Sequence, residues 1–166
     1  MYHEQRIPWW TGLLVFMTLA VAGGLIVTIN EYSNLRQTAT PEVLEQESAG
    51  YIIGILTCGV TEAILLLCTI VFWKYFITVD RGLVRFGFSW WNVTLKVDQI
   101  EDVELDQARF SEFFGFGWRI SMKNKRIGYI VNLGASVGIQ LKTGRAYLIS
   151  CRDPEACIAA IRQSLP

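Results

Sequence analysis

Residues 68–87, CTIVFWKYFITVDRGLVRFG, change their period partway through. Up to Phe72 the side chains are almost all apolar, whereas from Tyr75 apolar and polar residues alternate until Asp80, Arg81 and Gly82 interrupt them. A long apolar run marks a helix in an apolar setting, and a period of two marks a half-buried strand. The chain therefore passes from a helical part to a β part without a linker, and the Asp-Arg-Gly tripeptide predicts a tight hairpin turn.

Upstream of this junction, residues 52–72 contain Glu62 as their only charge, and residues 9–29 contain none. At about 1.5 Å rise per residue each run matches a hydrocarbon layer roughly 30 Å thick, which predicts two membrane-crossing helices. Trp9, Trp10, Trp73 and Tyr75 stand at their ends, where amphipathic rings favour the headgroup level. Ala20 and Ala22 form an A-x-A pattern of the kind a signal peptidase reads, but the apolar run continues past them through Ile29. The connecting loop, residues 30–49, holds four glutamates against Arg36 alone, while Lys74, Arg81 and Arg85 follow the second run. The excess of positive charge predicts a multi-pass membrane protein with residues 30–49 outside and both termini cytoplasmic. Residues 1–73 then form the membrane anchor, and residues 74–166 a cytoplasmic domain.

Across the whole chain 15 basic residues balance 15 acidic ones. Residues 74–166 nevertheless carry thirteen basic against nine acidic groups, an excess too small and too scattered for nucleic-acid binding. Cys58, Cys68, Cys151 and Cys157 form no C-x-x-C pair and have only His3 for company, so neither a zinc site nor a disulfide scaffold is expected, and no cofactor.

Beyond the first hairpin, WNVTLKV, IEDVELD, WRISM, RIGYIVN, ASVGIQL and AYLISC read as further short strands, with KTGR (142–145) as another turn. Asp153 precedes Pro154 and Glu155, and Ile158, Ile161 and Leu165 recur at helical spacing. This predicts a capped amphipathic helix lying over the open end of a β structure.

GFGWRI (115–120), GYIVN, ASVGIQLKTGRAYLI and CRDPEACIAAI resemble the second half of the bacterial pleckstrin-homology-like domain, and YFITVDRGLVRFG resembles its opening hairpin. The resemblance implies two transmembrane α-helices followed by a mainly-β pleckstrin-homology-like barrel with a C-terminal capping helix, in the bacterial inner membrane. It implies no particular activity. Phosphoinositide binding by eukaryotic relatives relies on basic residues in the first hairpin loop, which here is Asp80, Arg81, Gly82.

Three groups of residues stand out as candidate contacts. Gly54, Cys58 and Glu62 recur every four positions, giving the second helix a small, polar face for another helix or a second copy. A carboxyl near mid-bilayer also marks transport or proton pathways, which makes an accessory subunit of a transport or secretion assembly the alternative. Phe110, Phe113, Phe114 and Phe116 would form a wedge against the bilayer or a protein partner. Lys123, Lys125 and Arg126 follow as a basic knot suited to lipid headgroups or to plain solvation. In the bland alternative, Trp118, Ile120 and Met122 fill one face of a strand while Arg119, Ser121 and Lys123 line the other. The segment has no histidine beside Ser111 or Ser121, and GFG lacks nucleotide-loop spacing, so no enzyme is expected. The expected role is a membrane-anchored binding or scaffolding module whose partners are the lipid bilayer and a membrane protein or a copy of itself.

Overall fold

The computed structural model describes residues 1–121 and 124–165. The chain divides into a β unit, Met1–Trp9 with Val71–Pro166, and a helical unit, Trp10–Ile70.

The helical unit is a hairpin of α1 (Thr11–Thr38) and α2 (Pro41–Phe72). Both helices outrun the apolar segments, so the expected loop at 30–49 shrinks to Ala39 and Thr40. The polar flanks hold four Glu, two Gln, two Leu and Arg36, which favour helix without needing an apolar setting. Pro41 opens α2 at a position where a missing N–H costs nothing. Tyr32 and Tyr51 meet across the hairpin at 5.9 Å between ring centroids. The hydroxyls of Thr18, Thr28, Thr57, Thr61 and Thr69 each donate to the carbonyl four residues earlier, which satisfies them within their own helix. Both helices are long and apolar enough to cross a membrane, and none of the apolar stretch of α2 and only 6% of that of α1 is buried in the protein.

The β unit begins with a strand that the sequence conceals. β1 (Tyr2–Arg6) pairs antiparallel with β2 (Tyr75–Asp80), placing Arg6 opposite Tyr75 and Tyr2 opposite Val79. β2 turns through Arg81 and Gly82, both with positive φ, into β3 (Leu83–Phe88), and β4 (Asn92–Lys96) follows. Two central residues with φ > 0 match the right-handed strand twist of a two-residue hairpin. A 3-10 turn at Val97–Gln99 then leads into a second sheet made of β5 (Ile100–Ala108), β6 (Gly117–Ser121), β7 (Arg126–Ile130), β8 (Gly134–Leu141) and β9 (Ala146–Ile149). A one-turn helix, α3 (Phe110–Phe113), precedes β6, and α4 (Pro154–Gln163) ends the unit.

The strand orders are β1-β2-β3-β4 and β5-β8-β9-β7-β6. The two sheets are separate and open, which corrects the expected pleckstrin-homology-like barrel. At β4 the chain leaves its ladder through the 3-10 turn, and β1 occupies the free edge of β2, so no strand continues from one sheet into the other. The sheets meet through side chains: Phe86 packs against Tyr129 and Tyr147 at 5.3 and 5.5 Å, among buried Ile77, Val84, Ile139 and Ile149. Asp153 accepts a hydrogen bond from Ala156 N and starts α4, as the sequence predicts. Cys157, Ile158 and Ala160 are buried with Ile161, and α4 lies against β5 and β8 of one sheet and β1 and β2 of the other. Leu165 is half-buried.

Candidate functional site

The outer face of the second sheet carries most of what the 110–126 segment contributes. Gly128 leaves a slot there: a methyl group added to it would lie 2.6 Å from Phe113 Cε1. Phe113, only 2% exposed, fills that slot beside Ala108, Ile130 and Leu148, with Phe116 packed on the same cluster. Phe110 and Phe114 point the other way and stand 56% and 78% exposed. The four phenylalanines therefore form no single wedge, because α3 and the left-handed Phe114 (φ 52°) divide them between core and surface.

The basic knot divides in the same way. Lys123 lies outside the described residues. Lys125 is exposed with φ 50° in the turn before β7. Arg126 turns inward, donating from Nε and Nη2 to the two carboxylate oxygens of Glu112 at 2.6 and 2.7 Å and from Nη1 to Asp106. Asn124 Nδ2 also donates to Glu112, at 2.8 Å. The Arg126 hydrogen bonds hold the Glu112 carboxyl below its ordinary range against the opposing effect of burial, and Glu112 in turn raises the Arg126 guanidinium. Arg126 is thus a neutralised clamp between α3, β5 and β7. The predicted alternation of β6 is also corrected: Gly117 and Ser121 are buried, while Ile120 and Arg119 are exposed along an edge strand. Met122, the third residue of the expected apolar face, is outside the described residues.

A second polar cluster, absent from the sequence reading, gathers on β1. Glu4 and Arg6 form an ion pair at 3.2 Å with both side chains 7% exposed. Glu4 Oε2 accepts from the Tyr2 hydroxyl at 2.7 Å and from Arg152 N at 3.0 Å. Arg6 Nη2 donates to Ser150 O at 2.8 Å, and its guanidinium lies 5.4 Å from the centroid of the Tyr75 ring. Burial, then Glu4, push the Tyr2 hydroxyl up, and burial raises Tyr75. Hydrogen bonding with Cys157, followed by burial, raises the Cys151 thiol, which leaves it a poor nucleophile. The cluster binds β1 to the strand ends at 150–152. The only signal for it in sequence is the Glu4/Arg6 spacing of two, which puts both on one face of a strand.

On the helical hairpin, Gly54 lies where α2 faces α1. A methyl group at Gly54 would come 3.8 Å from Thr28 Cγ2. Glu62 is half-buried, and its Oε2 is buried with no hydrogen-bond partner among the described residues. Cys58 is a half-buried free thiol on the same helix. Among the described residues no group of three or more His, Cys, Asp or Glu side chains is placed to hold a metal ion. Comparison with protein-family models, with curated proteins and with solved structures gave no match.

Proposed function

We propose that this chain is a membrane-anchored, non-enzymatic binding or scaffolding module, with α1 and α2 crossing the bacterial inner membrane as a hairpin and the β unit on the cytoplasmic side. The observation that carries this is the route of the chain. It leaves the β unit at Trp9, runs through two helices apolar on almost every side, and re-enters the same unit at Val71, with β1 fixed to β2. Helices that expose Phe16, Leu19, Ile53, Leu56, Val60 and Leu67 need an apolar solvent, since contiguous apolar surface of this extent is not tolerated in water. Side chains able to do chemistry are engaged structurally, as with Glu112 on Arg126, Cys151 Sγ on Ile149 O, and His3 Nδ1 at 3.1 Å from Thr78 Oγ1. This supports binding over turnover.

Two measurements on the full-length chain in bacterial membranes test the proposal. The chain should resist alkaline carbonate extraction, and a photo-crosslinker at Thr143 or Lys125 should give a discrete adduct to a partner or a second copy. Release by carbonate would overturn the anchoring; absence of adducts at both positions would overturn the binding role.

The orphaned oxygen of Glu62 favours a second reading, an accessory subunit of a membrane transport or secretion assembly in which a partner helix supplies the missing hydrogen bond.

A further inference from the structure

We propose that the end of the β unit at which the chain leaves and re-enters is an interfacial docking surface that lies in the headgroup layer of the bilayer. This rests on α1 and α2 being membrane spans. The strand registers define the two ends of the unit. Tyr75, Arg6 and Phe88 lie together at the exit end, and β3 returns there through the turn at 89–91, where Ser89 N donates to Lys74 O at 2.9 Å. The second sheet shares this end. Trp9 meets Phe116 at 5.4 Å, Trp91 meets Trp118 at 5.6 Å, and a methyl group on Gly117 would lie 3.6 Å from Phe72 Cε1. The opposite end collects the Arg81–Gly82 turn, the 97–99 turn and the KTGR turn, joined by Val97 N to Gly82 O at 2.9 Å and Lys142 N to Gln99 O at 3.0 Å. The turn at Asn124 and Lys125 is there too, because Ser121 pairs with Arg126.

Exposed apolar side chains divide unevenly between these ends. Ile7, Trp9, Trp73, Trp90, Trp91 and Leu133 are exposed at or beside the exit end, with Trp90 at 78%. The opposite end presents Arg81, Lys125, Lys142 and Arg145, with Leu83 and Ile120 as exposed apolar side chains beside them and no exposed tryptophan among the described residues. Tryptophan concentrates where an apolar ring and a polar N–H are both accommodated, at the membrane–water boundary. Trp9 and Trp73 flank the apolar helices, so the rim is continuous in sequence with the segments proposed to enter lipid. A lipid surface is therefore the occupant at this end, with exposed Lys74 and Arg109 positioned for anionic headgroups. The Lys125 turn lies at the far end and has no part in lipid contact.

The test uses the full-length chain in phosphatidylcholine and phosphatidylglycerol vesicles whose acyl chains are brominated near the headgroup. In a background with Trp9, Trp10, Trp73 and Trp118 replaced by Phe, Trp90 and Trp91 report on the rim. With these two also replaced by Phe, Thr143→Trp reports on the far end, and Val60→Trp, in vesicles brominated at the acyl-chain terminus, reports on mid-helix α2. Lipid bromines should quench Trp90 and Trp91 several-fold more than Thr143→Trp, and aqueous acrylamide should show the reverse order. The unaltered chain provides a second measurement, with shallow bromines quenching more than bromines at the chain terminus. Bromine quenching of Val60→Trp without that of Trp90 and Trp91 overturns the docking surface while anchoring stands. Protection of Trp90 and Trp91 from both quenchers would mean that protein covers the rim, which also overturns it. No lipid quenching of Val60→Trp would overturn the anchoring and the docking together.

Discussion

Gly128 is a tightly packed position of the β unit. Its missing Cβ admits the edge of Phe113, and the ring in turn lies against the Arg126 guanidinium, 5.7 Å from the centroid. Gly128→Ala should therefore destabilise the unit by about 1–3 kcal/mol through overpacking, readable as a lowered urea midpoint. Glu112, which accepts two hydrogen bonds from that guanidinium, should give the unit a pH dependence. Its folded-state carboxyl titrates below the roughly 4.3 of an unfolded glutamate. Its contribution is thus complete above about pH 4.3 and is lost as pH falls through the lower folded value. Urea midpoints of wild type and Glu112→Gln should converge on acidification and separate above that pH. In the helical hairpin, Glu62→Gln keeps a hydrogen-bonding group without a titratable proton and should preserve association in mild detergent. Glu62→Leu should weaken it by roughly 1 kcal/mol. Proton flux in reconstituted vesicles that vanishes in Glu62→Gln while association is unchanged would instead favour the transport assembly.

At the scale of elements, β1 holds the two sheets and the carboxyl end of β9 together through one buried ion pair. Arg6→Ala leaves Glu4 buried without its cation and should cost about 3 kcal/mol or more. Loss of β1 protection in amide hydrogen exchange, spreading to β2, is the expected signature. This strand was the least legible element. YHEQR has no apolar alternation, and its inward positions are filled by Glu4 and by Arg6, charged residues that sequence patterns assign to water. The β2–β3 hairpin and the start of α4 were legible because Asp80-Arg81-Gly82 and Asp153-Pro154 act through local backbone chemistry. The division of the four phenylalanines was not legible, since it depends on Gly128, a residue brought to Phe113 only by the pairing of β6 with β7 and β7 with β9.

For the whole molecule, period-two segments specified strands but not their neighbours, which is why the expected barrel proved to be two open sheets. The helical hairpin was legible in its apolar runs and misjudged in its turn, because polar helix formers extended both helices to Ala39 and Thr40. The claim on which the rest depends is that the hairpin crosses a membrane and returns to the same side. Impermeant maleimide labelling of intact bacterial cells tests it directly, with single cysteines placed at Thr38 beside the hairpin turn or at Arg145 in the β unit, in a background without the native cysteines. The account predicts labelling at position 38 in intact cells and at position 145 only after permeabilisation. Labelling at 145 with protection at 38, or the same response at both positions, would contradict it.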